Sequence, residues 1–137
     1  MEFKSFKKHL KQSGHFTTKP RMQLFGFLQN HPALSVKELL LLTTNHDQAT
    51  TYRNLSLFEE LGIINKIQLG WHTRIELSEM FHSHHHHLTC LQCDKVFIIE
   101  DDYALEKHIS ALSASRQFKA VDHQLEIRGY CQTCRTK

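Results

Sequence analysis

The run Asp47-Gln48-Ala49-Thr50-Thr51-Tyr52-Arg53-Asn54-Leu55-Ser56-Leu57-Phe58-Glu59-Glu60-Leu61-Gly62 has a helical period. The next run, Ile64-Asn65-Lys66-Ile67-Gln68-Leu69, Gly70-Trp71, His72-Thr73-Arg74-Ile75-Glu76-Leu77, has an alternating one. Asp47 is suited to cap a helix N-terminus, Leu55, Phe58 and Leu61 lie on one helical face, and Gly62 is suited to stop it. The alternation beyond, broken by Gly70-Trp71, predicts a β-hairpin.

Three shorter helices are predicted before this point. The first spans about Glu2–Ser13, with Phe3, Phe6 and Leu10 as its apolar stripe and Gly14 as its stop. The second begins near Pro20, buries Leu24, Phe25 and Leu28, and ends before His31-Pro32. The third follows Ser35, with Glu38 completing a capping box. Helices followed by a hairpin predict a winged helix-turn-helix over residues 1–77. Its fourth helix would enter the DNA major groove and present Thr50, Tyr52 and Arg53, while Lys19 and Arg21 grip the backbone. Charge agrees in sign. Residues 1–77 carry 10 Lys and Arg against 6 Asp and Glu, whereas residues 78–137 carry 7 against 8.

Beyond an inter-domain link over 78–83, residues 84–137 predict a small α+β domain. It has strands near His85–Leu91 and Lys95–Ile99, a helix over about Asp102–Ser115 and a strand over about Ala120–Gly129. Such a sheet with one covering helix leaves an edge and a face for a second subunit. Two Cys-x-x-Cys pairs, Cys90/Cys93 and Cys131/Cys134, stand 37 residues apart, and four histidines, His84 to His87, precede the first pair. Tight cysteine pairs without a secretion signal point to one tetrahedral zinc site rather than to disulfides. A strand alternates its side chains, so His84 and His86 should face one way, and His85 and His87 the other. That splits the run into two potential metal sites. Glu106 and His123 are candidates to complete one, and Glu76, at the hairpin's end, the other. No apolar run is long enough for a membrane span, and the N-terminus has no signal-peptide character, so a cytoplasmic protein is expected. No His-Glu-x-x-His helix or nucleophile elbow appears, which excludes the common hydrolase readings, and no small-molecule substrate is expected. A zinc-ribbon interaction module would leave the histidine run unexplained.

Ala49-Thr50-Thr51-Tyr52-Arg53-Asn54-Leu55 with Leu61-Gly62-Ile63-Ile64 resembles the recognition helix of ferric uptake regulator (Fur) family repressors. The segments from His84 through Cys93 to Val96, and from Asp122 through Gly129-Tyr130-Cys131 to Cys134, resemble that family's metal-binding signature and last strand. The resemblance covers nearly the whole chain. It implies a homodimeric repressor that binds double-stranded operator DNA, with an N-terminal winged helix and a C-terminal dimerisation domain. It implies a structural Zn²⁺ on Cys90, Cys93, Cys131 and Cys134. It implies a regulatory site with His85, His87 and Glu76, completed by Glu79, His82 or Glu100, and a second with His84, His86, Glu106 and His123. Iron- and peroxide-sensing relatives carry a histidine just before the third helix's cap and an acid soon after the first cysteine pair. Here those places hold Ala33-Leu34 and Phe97-Ile98-Ile99. These departures favour the zinc uptake regulators, with Zn²⁺ as the regulatory ion and Fe²⁺ or Mn²⁺ as alternatives; an iron- or peroxide-responsive member of the same family is the alternative reading.

Overall fold

A computed structural model describes residues 2–31, 33–69 and 71–136. Pro32 and Gly70, used above to end a helix and to turn the hairpin, lie outside the described residues. The chain divides into two units, Met1–His82 and Ser83–Lys137.

The N-terminal unit holds α1 (Glu2–Gln12), α2 (Lys19–Asn30), α3 (Val36–Leu42), α4 (Gln48–Glu60), β1 (Ile64–Leu69) and β2 (His72–Leu77). Side chains set the boundaries. Thr18, Ser35 and Asp47 cap α2, α3 and α4, each accepting from a backbone N–H three residues on. Gly14 and Gly62 follow α1 and α4 at φ of 80° and 70°, conformations that tolerate glycine best. β1 and β2 pair antiparallel from Ile64↔Leu77 to Leu69↔His72, and Leu34 adds a bridge to Ile75. The core is aromatic, with Phe6 stacked on Phe25 at 4.2 Å and edge-on to Phe58 at 5.4 Å. Burying three such rings contributes about 1.5–3 kcal/mol each. The stretch Ser78–Ser83, expected as the link, largely folds onto this unit. Ser78 donates its N–H to the Ile63 carbonyl at 2.8 Å, and Phe81 packs on Phe25 at 5.1 Å.

The C-terminal unit holds β3 (His85–Cys90), β4 (Val96–Glu100), α5 (Tyr103–Ser115) and β5 (Glu126–Gly129) in a sheet ordered β4-β3-β5. β4 runs antiparallel and β5 parallel to the central strand. The expected long last strand is corrected here. Only Glu126–Gly129 pairs, against His87–Cys90, and residues 120–125 are not strand. In this register β3 reaches back only to the level of residue 124, so residues 120–123 have no strand beside them to bond. No residue of α5 is buried within this unit's layers, and Leu88, Phe97 and Ile127, cross-strand partners on one face, stay exposed. No helix among the described residues is long and apolar enough to cross a membrane.

Candidate metal centres and nucleic-acid interface

The two cysteine pairs meet at the ends of adjacent strands. Cys90 closes β3 and Cys131 follows β5 by two residues, so the parallel pairing of Cys90 with Gly129 brings the second pair alongside the first. Asp94 takes a φ of 60° in the first turn, where a short polar side chain is tolerated. The four Sγ atoms lie within 4.8 Å of one another, and Cys93 and Cys131 are 3.9 Å apart. A Zn–S bond of about 2.3 Å places tetrahedral sulfurs about 3.8 Å apart, so this set fits zinc. The electrostatics point the same way. Backbone N–H groups of Cys131 and Cys93 hold the Cys90 thiol down to about 6, whereas hydrogen bonding to Cys131, aided by burial, pushes Cys134 up to about 12. Four sulfurs this close cannot all ionise unless a cation shares their charge.

The second cluster draws on three elements. His84 projects from the residue just before β3, His86 from the start of β3, Glu106 from the first turn of α5, and His123 from the segment ahead of β5. Glu106 Oε1 lies 2.5 Å from His86 Nε2 and 3.3 Å from His84 Nε2, and its Oε2 lies 2.7 Å from His123 Nε2. His84 and His123 bring their Nε2 atoms to 3.1 Å. The His86 bond holds the Glu106 carboxyl below its ordinary range against the opposing effect of burial, with the charges of His123 and His84 adding. Three imidazole nitrogens and a carboxylate converging on one point are a borderline-soft donor set, which suits Zn²⁺, Fe²⁺ or Mn²⁺. A Zn–N bond near 2.0 Å spaces tetrahedral donors about 3.3 Å apart. The His84 contacts match this spacing, and Glu106 would withdraw slightly from His86 as a metal replaced the shared proton.

On the opposite face of β3, the His85 and His87 rings lie 4.8 Å apart. The Ser83 carbonyl accepts from His85 Nδ1 at 3.0 Å. A carbonyl only accepts, so Nδ1 carries the proton of this bond, and Nε2 is the ring nitrogen that a metal would take. Glu100 stands opposite His85 in the β3–β4 register. Glu76 ends the hairpin beside Leu77, in the N-terminal unit.

In the N-terminal unit, α4 buries Thr51, Asn54, Leu55 and Phe58 and exposes Tyr52 and Arg53. Thr50 donates its N–H to Asp47 Oδ1 at 2.7 Å and accepts from Arg53 Nη2 at 3.2 Å, so the cap holds the first exposed turn. Lys19 is exposed at the start of α2. Arg21 is placed differently from a simple phosphate grip. Its Nη1 donates to the Phe16 carbonyl at 2.7 Å and its Nε to Asn54 Oδ1 at 3.2 Å, which ties the α1–α2 loop to α4. Sequence reasoning passed over Glu38 beyond its cap. Its carboxylate also accepts from Arg74 Nη1 at 3.1 Å, fastening α3 to β2, and the acid-to-base separation in sequence hides that pair.

These geometries can be compared with known proteins. The profile of the ferric uptake regulator family matches residues 12–128. A ferric uptake regulation protein of Synechococcus elongatus is 33% identical over 139 residues, covering 95% of this chain and 92% of the relative. One from Bacillus subtilis is 36% identical over 110 residues, covering 76% and 73%. The crystal structure of the Vibrio cholerae ferric uptake regulator superposes with a TM-score of 0.74 at 28% identity, covering 91% of this chain and 98% of that one. A family match across most of the chain, relatives at this identity and the same α+β fold agree: the protein belongs to the ferric uptake regulator family of metal-responsive transcription regulators, and it is not an enzyme.

Proposed function

We propose that this chain is a zinc-dependent repressor that binds operator DNA as a homodimer and controls metal-uptake genes. The convergence of His84, His86, Glu106 and His123 in the same unit as the four cysteines carries the reading, because one regulator then holds a closed thiolate site and a separate imidazole–carboxylate site. Cys90, Cys93, Cys131 and Cys134 would hold a permanent structural Zn²⁺ with no position open to a substrate. His84, His86, Glu106 and His123 would form one regulatory site. His85 and His87, with Glu76 by family resemblance, would form the other. Among Glu79, His82 and Glu100 the strand register favours Glu100 as the further ligand, since it sits across from His85.

When bound, the regulatory ion supplies a charge-neutralising cross-link between these donors. The residues do the rest. They would favour one arrangement of two winged helices over others, so that α4 of each protomer meets successive half-sites. Shifting such an equilibrium decisively takes about 5 kcal/mol of differential binding, within reach of a multidentate site. The homodimer is supported by the exposed apolar face of Leu88, Phe97 and Ile127 and by the lack of any buried residue in α5, which together leave a sheet and a helix short of cover. Arg53, Tyr52 and Thr50 would read the major groove, Lys19 would hold phosphate, and Arg21 would mainly position α4. A second reading, an iron-responsive repressor, is favoured by the names of the relatives from Synechococcus elongatus and Bacillus subtilis.

The test is operator affinity at equal free activities of Zn²⁺, Fe²⁺ and Mn²⁺. Zinc should give the tightest complex, and Arg53→Ala should weaken it by about 1–3 kcal/mol. Iron outperforming zinc would replace the zinc reading with the iron one, and unchanged affinity in Arg53→Ala would remove α4 as the reader.

A further inference from the structure

We propose that the outer face of α1 is a second phosphate-binding surface, which grips the duplex backbone beside the segment met by α4. The inference rests on the reading of this chain as a DNA-binding protein and adds an element that the recognition-helix residues do not include.

α1 buries Phe6 and Leu10 and turns Lys4, Lys7, Lys8 and Lys11 outward. At 3.6 residues per turn these four positions fall within about 100° of arc, and Lys4 to Lys11 spans about 10 Å. That length covers about three axial phosphate steps of 3.4 Å on one DNA strand. Lysines on a solvated helix are commonly interleaved with acids, and these are not. The helix carries one acid, Glu2, whose Oε2 accepts from Gln29. No carboxylate among the described residues pairs with any of the four. This one face carries four of the ten Lys and Arg of residues 1–77, so it adds a dense positive strip to the basic unit.

Position matters as much as charge. The lysines line an open groove continued by His15 and by Phe16, which is 84% exposed. The Phe16 carbonyl is held by Arg21, and Arg21 is held by Asn54, the residue after Arg53 on α4. A neighbouring groove joins Thr17, Thr18 and Lys19 to Asn45 and His46 in the turn ahead of α4, and His46 is hydrogen-bonded to Gln23 of α2. The lysine face, the α1–α2 loop, the start of α2 and the start of α4 therefore form a continuous run of surface. A duplex seated on the exposed turn of α4 would meet the lysines with its flanking phosphates. Contacts of this kind carry no sequence information, and they strengthen binding to any duplex.

The experiment compares zinc-loaded wild type with a Lys4→Gln/Lys7→Gln/Lys8→Gln/Lys11→Gln protein and with the matching four-arginine protein, on a long mixed-sequence duplex, by fluorescence anisotropy across a salt titration. Glutamine and arginine keep near-lysine helix propensity, and circular dichroism checks that the fold is intact. Each phosphate contact adds about 0.9 to the log–log salt slope, so the glutamine set should be shallower by about two to four units per bound protomer, about twice that for a dimer, and the arginine set should match wild type. An unchanged slope in the glutamine set, with wild type binding the duplex, overturns the proposal and leaves the DNA-binding reading standing. Failure of wild type to bind any duplex overturns both. If the glutamine set keeps the DNA slope but loses binding to phosphatidylglycerol vesicles, the face is a lipid surface and the proposal falls.

Discussion

Replacing histidines of the run one at a time should produce two distinguishable classes of protein. His84→Ala and His86→Ala remove donors from the cluster with Glu106 and His123, whereas His85→Ala and His87→Ala act on the other face of β3. The rings pair within each face at 4.7 Å and 4.8 Å, so neighbours in sequence do not share a site. Losing a partner hydrogen-bonded to a ligand commonly costs 10- to 100-fold in metal affinity, and losing the ligand itself should cost about 100-fold or more, or about 2.7 kcal/mol. The loss at His86 should be the largest on its face, since its ring is fully buried and bonds Glu106 at 2.5 Å. Competition against a chromophoric chelator would give each variant's stoichiometry and affinity. His84→Ala should lose the same metal as His123→Ala and Glu106→Ala, and His85→Ala should keep it. If His84→Ala and His85→Ala lose one and the same metal with equal affinity change, the histidines form a single cluster and the two-face argument is wrong.

Glu38→Gln keeps an oxygen for the Ser35 N–H but loses the Arg74 ion pair, which is part-exposed on the Glu38 side, so it should cost about 0.5–1 kcal/mol; Glu38→Ala also loses the cap bond and should cost about 1 kcal/mol more in urea denaturation. Burial alone would raise the Glu38 carboxyl, but the Ser35 N–H bond and Arg74 outweigh it and hold its folded value below the ordinary one. Its contribution is thus complete above the unfolded value and disappears as pH falls through the folded one, so the gap between wild type and Glu38→Gln should close in acid; a gap constant down to low pH would contradict this assignment. Cys93→Ser, in a site whose four sulfurs lie within 4.8 Å, should lose the chelator-resistant zinc and unfold or monomerise the C-terminal unit, as read by zinc content and sedimentation; a folded dimer that retains DNA binding would remove the structural role.

Much of the fold follows from local chemistry, and such chemistry is readable in order along the chain. Ser35 with Glu38, Asp47 with Thr50, and the glycines after α1 and α4 mark helix ends because caps and left-handed stops act over three or four residues. The alternation of Ile64–Leu77 gave the hairpin, and the alternation of His84–His87 gave the two faces, since both depend only on the pleat of a strand. The cysteine spacing implied one shared ion for a similar reason. What only the tertiary structure decided involves partners far apart in sequence. The parallel pairing of β5 with β3 sets which cysteine meets which, and it leaves residues 120–125 outside the sheet, where alternation alone had suggested strand. His123 reaches His84 across 39 positions only because that segment runs beside the start of β3. Arg21 was legible as a basic residue near a DNA-reading helix, but its donors go to Phe16 and Asn54, a choice made by the packing of α2 against α4. A side chain's charge is written in the sequence, whereas its partner depends on which surfaces the buried aromatic core brings together.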